Sequence, residues 1–450
     1  MKANTESWAV VGGGMLGLTL AHRLTQAGKQ VTLYESAPYL GGLASAWEFG
    51  GITWDRHYHV TLLSDTFLCS LLNELGLEQE MQWVETRTGF YTDDKLYSMS
   101  NTVEFLKFPP LNLLDKFRLG ATIFYASKIQ DWKKLESIPV ADWLKKLSGK
   151  RTFEKIWLPL LRAKLGDNYQ QTSAAFIWTT IARMYAARRT GLKKEMFGYL
   201  PGGYARVLGR FAEVLKSEGV TLRLHSGISK ATSVMNDVVR LEMTDGTTAD
   251  HDQVVFTVPG NVAAQVCTQL SEAEKHKLNE VQYQGIICAS VLLKKPLAGF
   301  YVTNITADWV PFTAVIEMSA LVDPREFGGQ TLVYLPKYFA AGDSILNLSD
   351  EAIEARFITA LVRMYPHIKR DDVLAFKVSR VRNVFPLPTL HYSDNVPAME
   401  TSVPGVFIVN SSHILNGTLN VNEGIKLAEQ VMPKLLSASK AKPVALRQVA

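Results

Sequence analysis

The stretch Asp55-Arg56-His57-Tyr58-His59 gathers a carboxylate, a guanidinium and two imidazoles within five residues. Imidazoles change charge near neutral pH, so His57 and His59 suit proton transfer and Arg56 suits a substrate anion. The bland alternative is that these groups order their own loop by hydrogen bonds. A second constellation holds no acid or base: Gly12, Gly14 and Gly17 satisfy G-x-G-x-x-G, with Met15 and Leu16 between the last two. Gly12 serves the tight turn, Gly14 lets backbone approach a pyrophosphate, and Gly17 lets a helix pack closely. Glu35 follows about twenty residues on, where a carboxylate accepts the hydroxyls of an unphosphorylated ribose.

These residues need particular elements to position them. Trp8 to Val11 reads as a short buried strand running into the glycines. Leu18, Ala21, Leu24 and Ala27 then recur at helical spacing, with Gly28 where a C-cap stands. Gln30 to Tyr34 reads as a second strand ending at Glu35. The order strand, turn, helix, strand puts a helix N-terminus and its partial positive charge beside the phosphate site. On this unit alone NAD and FAD compete.

A second glycine pair follows the acid, in Ser36-Ala37-Pro38-Tyr39-Leu40-Gly41-Gly42-Leu43-Ala44-Ser45, and an NAD domain has no use for it. With it the sequence resembles the flavin amine-oxidase superfamily, most of all its protoporphyrinogen-oxidase and phytoene-desaturase branch. Further segments match in order: LPGGY at Leu200–Tyr204, the strand Asp252 to Pro259, and Gly405 to Asn410 followed by the helical run Glu423 to Leu436. The resemblance implies FAD as cofactor. It implies that Ser36, Gly41, Gly42, Leu43, Ala44 and Ser45 lie at the diphosphate end with the first glycines. Gly227 and Ile228 would then reach the adenine. Thr257, Asn410, Ser411, Asn420, Val421 and Asn422 would lie toward the ribityl chain and ring. Asp55 and His59 match the family's D-x-G-x-H stretch beside the isoalloxazine, with His57 in place of the glycine.

Three departures stand out. Leu43 replaces the arginine common after the glycine pair in the family's amine oxidases. Asn410-Ser411 replaces Gly-Asp. Cys288, on the strand reading Ile286 to Leu293, occupies the position of the lysine of monoamine oxidases, which argues against lysine-assisted amine oxidation.

At 450 residues two domains are expected. The expectation is an α/β protein: a discontinuous Rossmann-like FAD-binding domain (1–64, 200–262 and 400–440) interleaved with a mixed α+β substrate-binding domain (65–199 and 263–399) carrying a helical subdomain, and a frayed tail at 441–450. The first insert reads mainly helical, at Thr66 to Leu75, Leu113 to Lys128 and Val140 to Leu147; the second adds strands such as Thr331 to Leu335. Arg151 to Lys164, with Trp157 and Arg162, and Trp178 to Arg189 combine aromatics with cations at helical spacing, as a cavity lining can.

The net charge of +5 is spread without a run of five basic residues, which excludes a nucleic-acid arm. Three cysteines, Cys69, Cys267 and Cys288, lack CxxC spacing and suit a reducing, cytoplasmic setting without disulfides. No third ligand joins the histidines to make a metal site. No stretch reaches the roughly 18 to 20 apolar residues that span a bilayer, though Leu111 to Tyr125 is apolar enough for contact with a membrane surface. Oligomeric state has no signature here. The expected function is a flavoenzyme that takes a hydride from a small-molecule or isoprenoid-like substrate. The alternative is a mutase or isomerase similar to UDP-galactopyranose mutase, with Arg56, His57 and His59 on a nucleotide-sugar phosphate. A non-catalytic FAD-binding escort protein is the third reading.

Overall fold

The computed structural model describes residues 5–187, 196–234 and 238–440. Arg188, Arg189 and the tail at 441–450 lie outside the described residues.

A five-stranded parallel sheet is assembled in the order Thr221–Arg223, Gln30–Tyr34, Ser7–Val11, Gln253–Phe256, Val406–Ile408. Its central strands are apolar runs because both faces are covered. Trp8, Ala9 and Val10 are fully buried, and Val10 stands between Leu33 and Val255. One face packs on the helices Met15–Gln26, Gly203–Ser217 and Val421–Lys440 through Leu18, Leu24, Phe211, Leu215, Ile425 and Val431. The other meets a three-stranded antiparallel sheet, Ile228–Val234, Val238–Met243 and Thr248–His251, through Val239, Leu241, Val254 and Phe256.

A seven-stranded mixed sheet runs Val373–Pro386, Tyr283–Leu293, Thr331–Phe339, Ala314–Glu317, Val302–Ile305, Thr88–Thr92, Lys95–Ser98. The protein is therefore of the α/β class that its sequence suggested, with a second, mixed sheet beside the parallel one. The first insert is less purely helical than its periodicity suggested. Thr88–Thr92 and Lys95–Ser98 form a hairpin closed by Asp93 and Asp94 at φ +50° and +54°, the left-handed pair a two-residue hairpin turn requires. The helices between 102 and 187 pack around Phe108, Trp143, Phe153, Ile156, Trp157 and Trp178, and this core takes in Phe90 from the sheet and Leu387 just past the end of its edge strand. The helical block is thereby seated on the sheet.

Candidate cofactor and substrate site

Gly12 adopts φ +116° and donates its N–H to the Tyr34 carbonyl at 2.8 Å. A Cβ on Gly12 would lie 2.4 Å from Thr257 Oγ1, and one on Gly17 would lie 1.9 Å from the Gly12 carbonyl oxygen. A Cβ on Gly14 would meet nothing within 4 Å, so its open side is where a ligand can come against bare backbone. The second glycine loop is zipped to the first: Gly41 donates its N–H to the Gly13 carbonyl at 2.7 Å, and a Cβ on Gly42 would stand 3.3 Å from Gly14 Cα. The helix opening at Met15, with Leu16 behind it, has neither a side-chain cap nor an acid in its first turn. Those N–H groups suit an anion.

Glu35 Oε2 accepts the Gly13 N–H at 2.7 Å, and Oε1 accepts the Ala37 N–H at 2.8 Å and the Ser36 hydroxyl at 3.1 Å. Ser226 donates its N–H to the Glu35 carbonyl, and a Cβ on Gly227 would stand 3.5 Å from Ser36 Cβ, which brings Gly227 and Ile228 beside the acid. Leu43 and Ala44 continue the turn from Gly42, and Ser45 Oγ is buried without a partner among the described residues. An open glycine cradle, an uncapped helix and an adjacent carboxylate fit a diphosphate-linked dinucleotide. Thr257 Oγ1 donates to the carbonyls of Val11 and Gly12 at 3.1 and 3.2 Å, so its side chain braces the turn from beneath.

The cluster of Arg56, His57 and His59 is dispersed by the fold. His57 donates Nδ1–H to the Leu43 carbonyl at 3.0 Å and accepts from the Ser379 hydroxyl at Nε2 at 3.1 Å, tying the glycine loop to the sheet. Burial holds its imidazole down at about 4, against an ordinary 6.5. Arg56 lies 4.7 Å from the Tyr39 ring centroid and 5.1 Å from that of Trp47. His59 lines a separate cavity of about 20 Å³ with Asp55 and Tyr204, its Nδ1 without a hydrogen-bond partner among the described residues and 3.8 Å from Asp55 Oδ2. Burial pushes Asp55 up to about 7 and His59 down to about 3, so the imidazole is neutral at neutral pH while the carboxyl titrates there. Asp55 also accepts the Tyr204 N–H at 2.7 Å, coupling this stretch to the LPGGY segment.

In the C-terminal motif, Asn410 Oδ1 accepts from the N–H and hydroxyl of Ser412, and Nδ2 donates to the Val258 carbonyl at 2.9 Å. Its side chain is 1% exposed and holds the loop's shape. Asn420 caps the helix by accepting the Glu423 N–H at 3.0 Å; Val421 begins that helix. Asn422 Oδ1 instead accepts the N–H groups of Phe67 and Leu68 at 3.0 and 3.1 Å, capping a neighbouring helix.

Ser411 lines a cavity of about 100 Å³ between the helical block, the end of the long sheet and the loop that carries Ile414, Leu415 and Leu419. Its other walls include Phe176, Tyr338, Phe385, Pro386, Lys164 and Ser173. Tyr338 hydrogen-bonds to Tyr58 at 3.0 Å, so Tyr58 connects the Asp55–His59 stretch to this cavity. Of the cationic faces suggested by sequence, Trp157 donates to Ser148 Oγ within the helical core and Arg162 is exposed. Lys164, two positions on, is the residue that lines the cavity. Cys288 is fully buried, and burial raises its thiol above the ordinary range, as for a small core residue rather than a nucleophile.

A model described as flavin containing amine oxidoreductase matches residues 16–430. The chain belongs to this family. A flavin is the family's cofactor, in accord with the dinucleotide cradle. Among curated members, a zeta-carotene desaturase from Synechococcus elongatus is 23% identical over 270 residues, covering 53% of this chain and 54% of its own length. A 15-cis-phytoene desaturase from Capsicum annuum is 23% identical over 272 residues, 56% of this chain and 46% of that protein. The chain thus spans about half the length of these relatives. Coproporphyrinogen III oxidase from Mycobacterium tuberculosis is 35% identical, over 98 residues, 21% of this chain and 22% of that protein. Among solved structures, a protein from Exiguobacterium described as a protoporphyrinogen oxidase aligns with TM-score 0.76 at 17% identity, covering 96% of this chain and 99% of that one. Reduced UDP-galactopyranose mutase aligns with TM-score 0.70 at 15% identity, covering 96% of each chain. Both likenesses show the fold.

Proposed function

We propose that this chain is an FAD-dependent oxidoreductase that takes a hydride from a small, mostly apolar or isoprenoid-like substrate. The observation that carries this reading is the 100 Å³ cavity, walled on one side by the Ser411–Leu419 part of the flavin motif and on the others by Phe176, Phe385 and Pro386. Bound FAD would supply the hydride acceptor. Gly14, Met15, Leu16 and the Gly41–Gly42 loop would hold its diphosphate, and Glu35 its ribose. The apolar walls would orient the substrate and exclude water from the reacting bond. In this scheme the cofactor domain comprises 1–64, 200–262 and 400–440, and 65–199 with 263–399 build the substrate side. The mutase reading is weaker. It needs Arg56, His57 and His59 together on one phosphate, whereas His57 has hydrogen-bond partners at both nitrogens and His59 lines a separate cavity.

The test is anaerobic titration of the FAD-loaded protein with candidate substrates while following visible flavin absorbance. Loss of the oxidised band on substrate addition is expected; turnover only after prior flavin reduction, without net electron flow, would make the protein a mutase. Gly14→Val is the control, expected to fold because its side chain enters open space and to purify colourless.

We also propose that the helices Thr102–Lys107 and Leu113–Ala126 rest on an anionic lipid surface. No helix among the described residues is long and apolar enough to cross a membrane. Yet seven of the large apolar residues that stand exposed, Val103, Leu106, Leu113, Leu114, Phe117, Phe124 and Tyr125, lie on this pair. The unbridged cysteines fit a cytoplasmic position for that surface.

A further inference from the structure

The substrate cavity proposed above contains two polar groups for which the described residues supply no hydrogen-bonding partner. Lys164 sits in the last turn of the helix Leu158–Leu165. That turn is pinned to the sheet, since Thr313 Oγ1 donates to the Ala163 carbonyl at 2.9 Å and Gln284 Nε2 to the Leu165 carbonyl at 2.8 Å. Its Nζ stands 5.6, 5.6 and 5.5 Å from the ring centroids of Phe176, Tyr338 and Phe385. The rings favour a cation but accept none of its three N–H bonds well. Burial and the nearby Arg183 guanidinium lower the ammonium to about 8, with no carboxylate opposing them. It is still mostly charged at neutral pH. Glu136, on the same wall, is engaged by the N–H and hydroxyl of Ser393. The second group is Ser173, 1% exposed, whose Oγ is buried without a partner. On a lining that also carries Glu136, Thr179, Tyr392, Ser411 and Thr418, the cation and the orphan hydroxyl are the two groups left to meet an anionic acceptor on the ligand.

We propose that the cavity takes a substrate with an apolar body and one carboxylate end, paired by Lys164 and hydrogen-bonded by Ser173. This rests on reading the cavity as the substrate's, and its test needs no turnover. Calorimetric titrations of the FAD-loaded protein would use octanoate, octanol and octylamine as probes. Octanoate is expected to bind tightest. Lys164→Met should weaken it about thirtyfold, as loss of one partner of a buried charge pair does. Octanol affinity should not change, and Lys164→Arg should keep most of the binding. Ser173→Ala should weaken octanoate several-fold. Octanol or octylamine binding as tightly as octanoate, no octanoate binding, or Lys164→Met leaving it unchanged would each overturn the proposal. Should Lys164→Met not fold, reductive methylation of the wild-type protein mapped by mass spectrometry decides: octanoate and not octanol shields Lys164, and equal shielding refutes the assignment. Octanoate bound at Lys164 in a protein whose flavin no substrate reduces would remove the oxidoreductase reading and leave this inference standing.

Discussion

His57 has hydrogen bonds at both ring nitrogens, so its contribution is to the fold and its titration is a stability effect. Its folded value of about 4 lies below the 6.5 of an unfolded chain. Between these values the unfolded state binds a proton that the folded state refuses. The stabilisation is fully present above pH 6.5, is lost as pH falls, and is gone near pH 4. The loss is on the order of 3 kcal/mol from this group. Urea midpoints measured from pH 7 to pH 4.5 should fall, and His57→Gln should flatten the slope, since its amide can donate to Leu43 and accept from Ser379 without titrating. An unchanged slope in the variant would return His57 to the list of groups that change protonation in the native state. His59 is also held down by burial and adds to the slope that remains.

At the scale of elements, Asn422 shows how a motif residue can serve a neighbour. Its Oδ1 holds two first-turn N–H groups of the helix Thr66–Glu74, whose own N-cap, Asp65, turns its carboxylate to Leu62 N–H and Arg183 instead of capping the helix. Asn422→Ala should therefore lower unfolding stability by about 1 to 2 kcal/mol, read from chemical denaturation, with flavin content unchanged. Loss of flavin at full stability would place the side chain on the cofactor instead. Such a role was hidden from sequence because its partners lie more than 350 residues away. The first glycine unit was legible for the opposite reason: strand, turn, helix and Glu35 are contiguous, so spacing alone specifies their geometry. Lys164 stood in a segment whose helical face was marked for a cavity, yet Trp157 and Arg162 drew attention because aromatic and guanidinium groups look like ligand contacts. What singles out Lys164 is Tyr338 and Phe385, which reach it from two strands of the long sheet. The hairpin at 88–98 was passed over because its strands are short and its turn is Asp-Asp rather than a glycine pair.

For the whole molecule, the helical block has an inside and an outside with different chemistry. Inward, it supplies Phe176, Lys164 and Ser173 to the cavity. Outward, Leu113 and Phe117 are 76% and 73% exposed and, with Phe124, follow one stripe of the Leu113–Ala126 helix. A monomeric protein in water seldom leaves such a patch uncovered. Every exposed charged side chain from 102 to 128 is cationic, namely Lys107, Arg118 and Lys128. The acids are turned in: Glu104 accepts from Ser98 and Ser100, and Asp115 closes the cap at Asn112. An apolar stripe whose exposed charged residues on the same two helices are all cations matches a bilayer with anionic headgroups, and it lies on the same block that carries the cavity's polar pair. Flotation with phosphatidylglycerol vesicles should carry the protein upward at low salt, less so at high salt, and less with neutral vesicles. The triple variant Leu113→Glu, Phe117→Glu and Phe124→Glu removes about 1.5 kcal/mol or more of apolar burial per site. It should bind on the order of a thousandfold more weakly, while its thermal unfolding stays close to wild type because these side chains are already in water. Undiminished flotation of that variant would place the membrane contact elsewhere on the molecule.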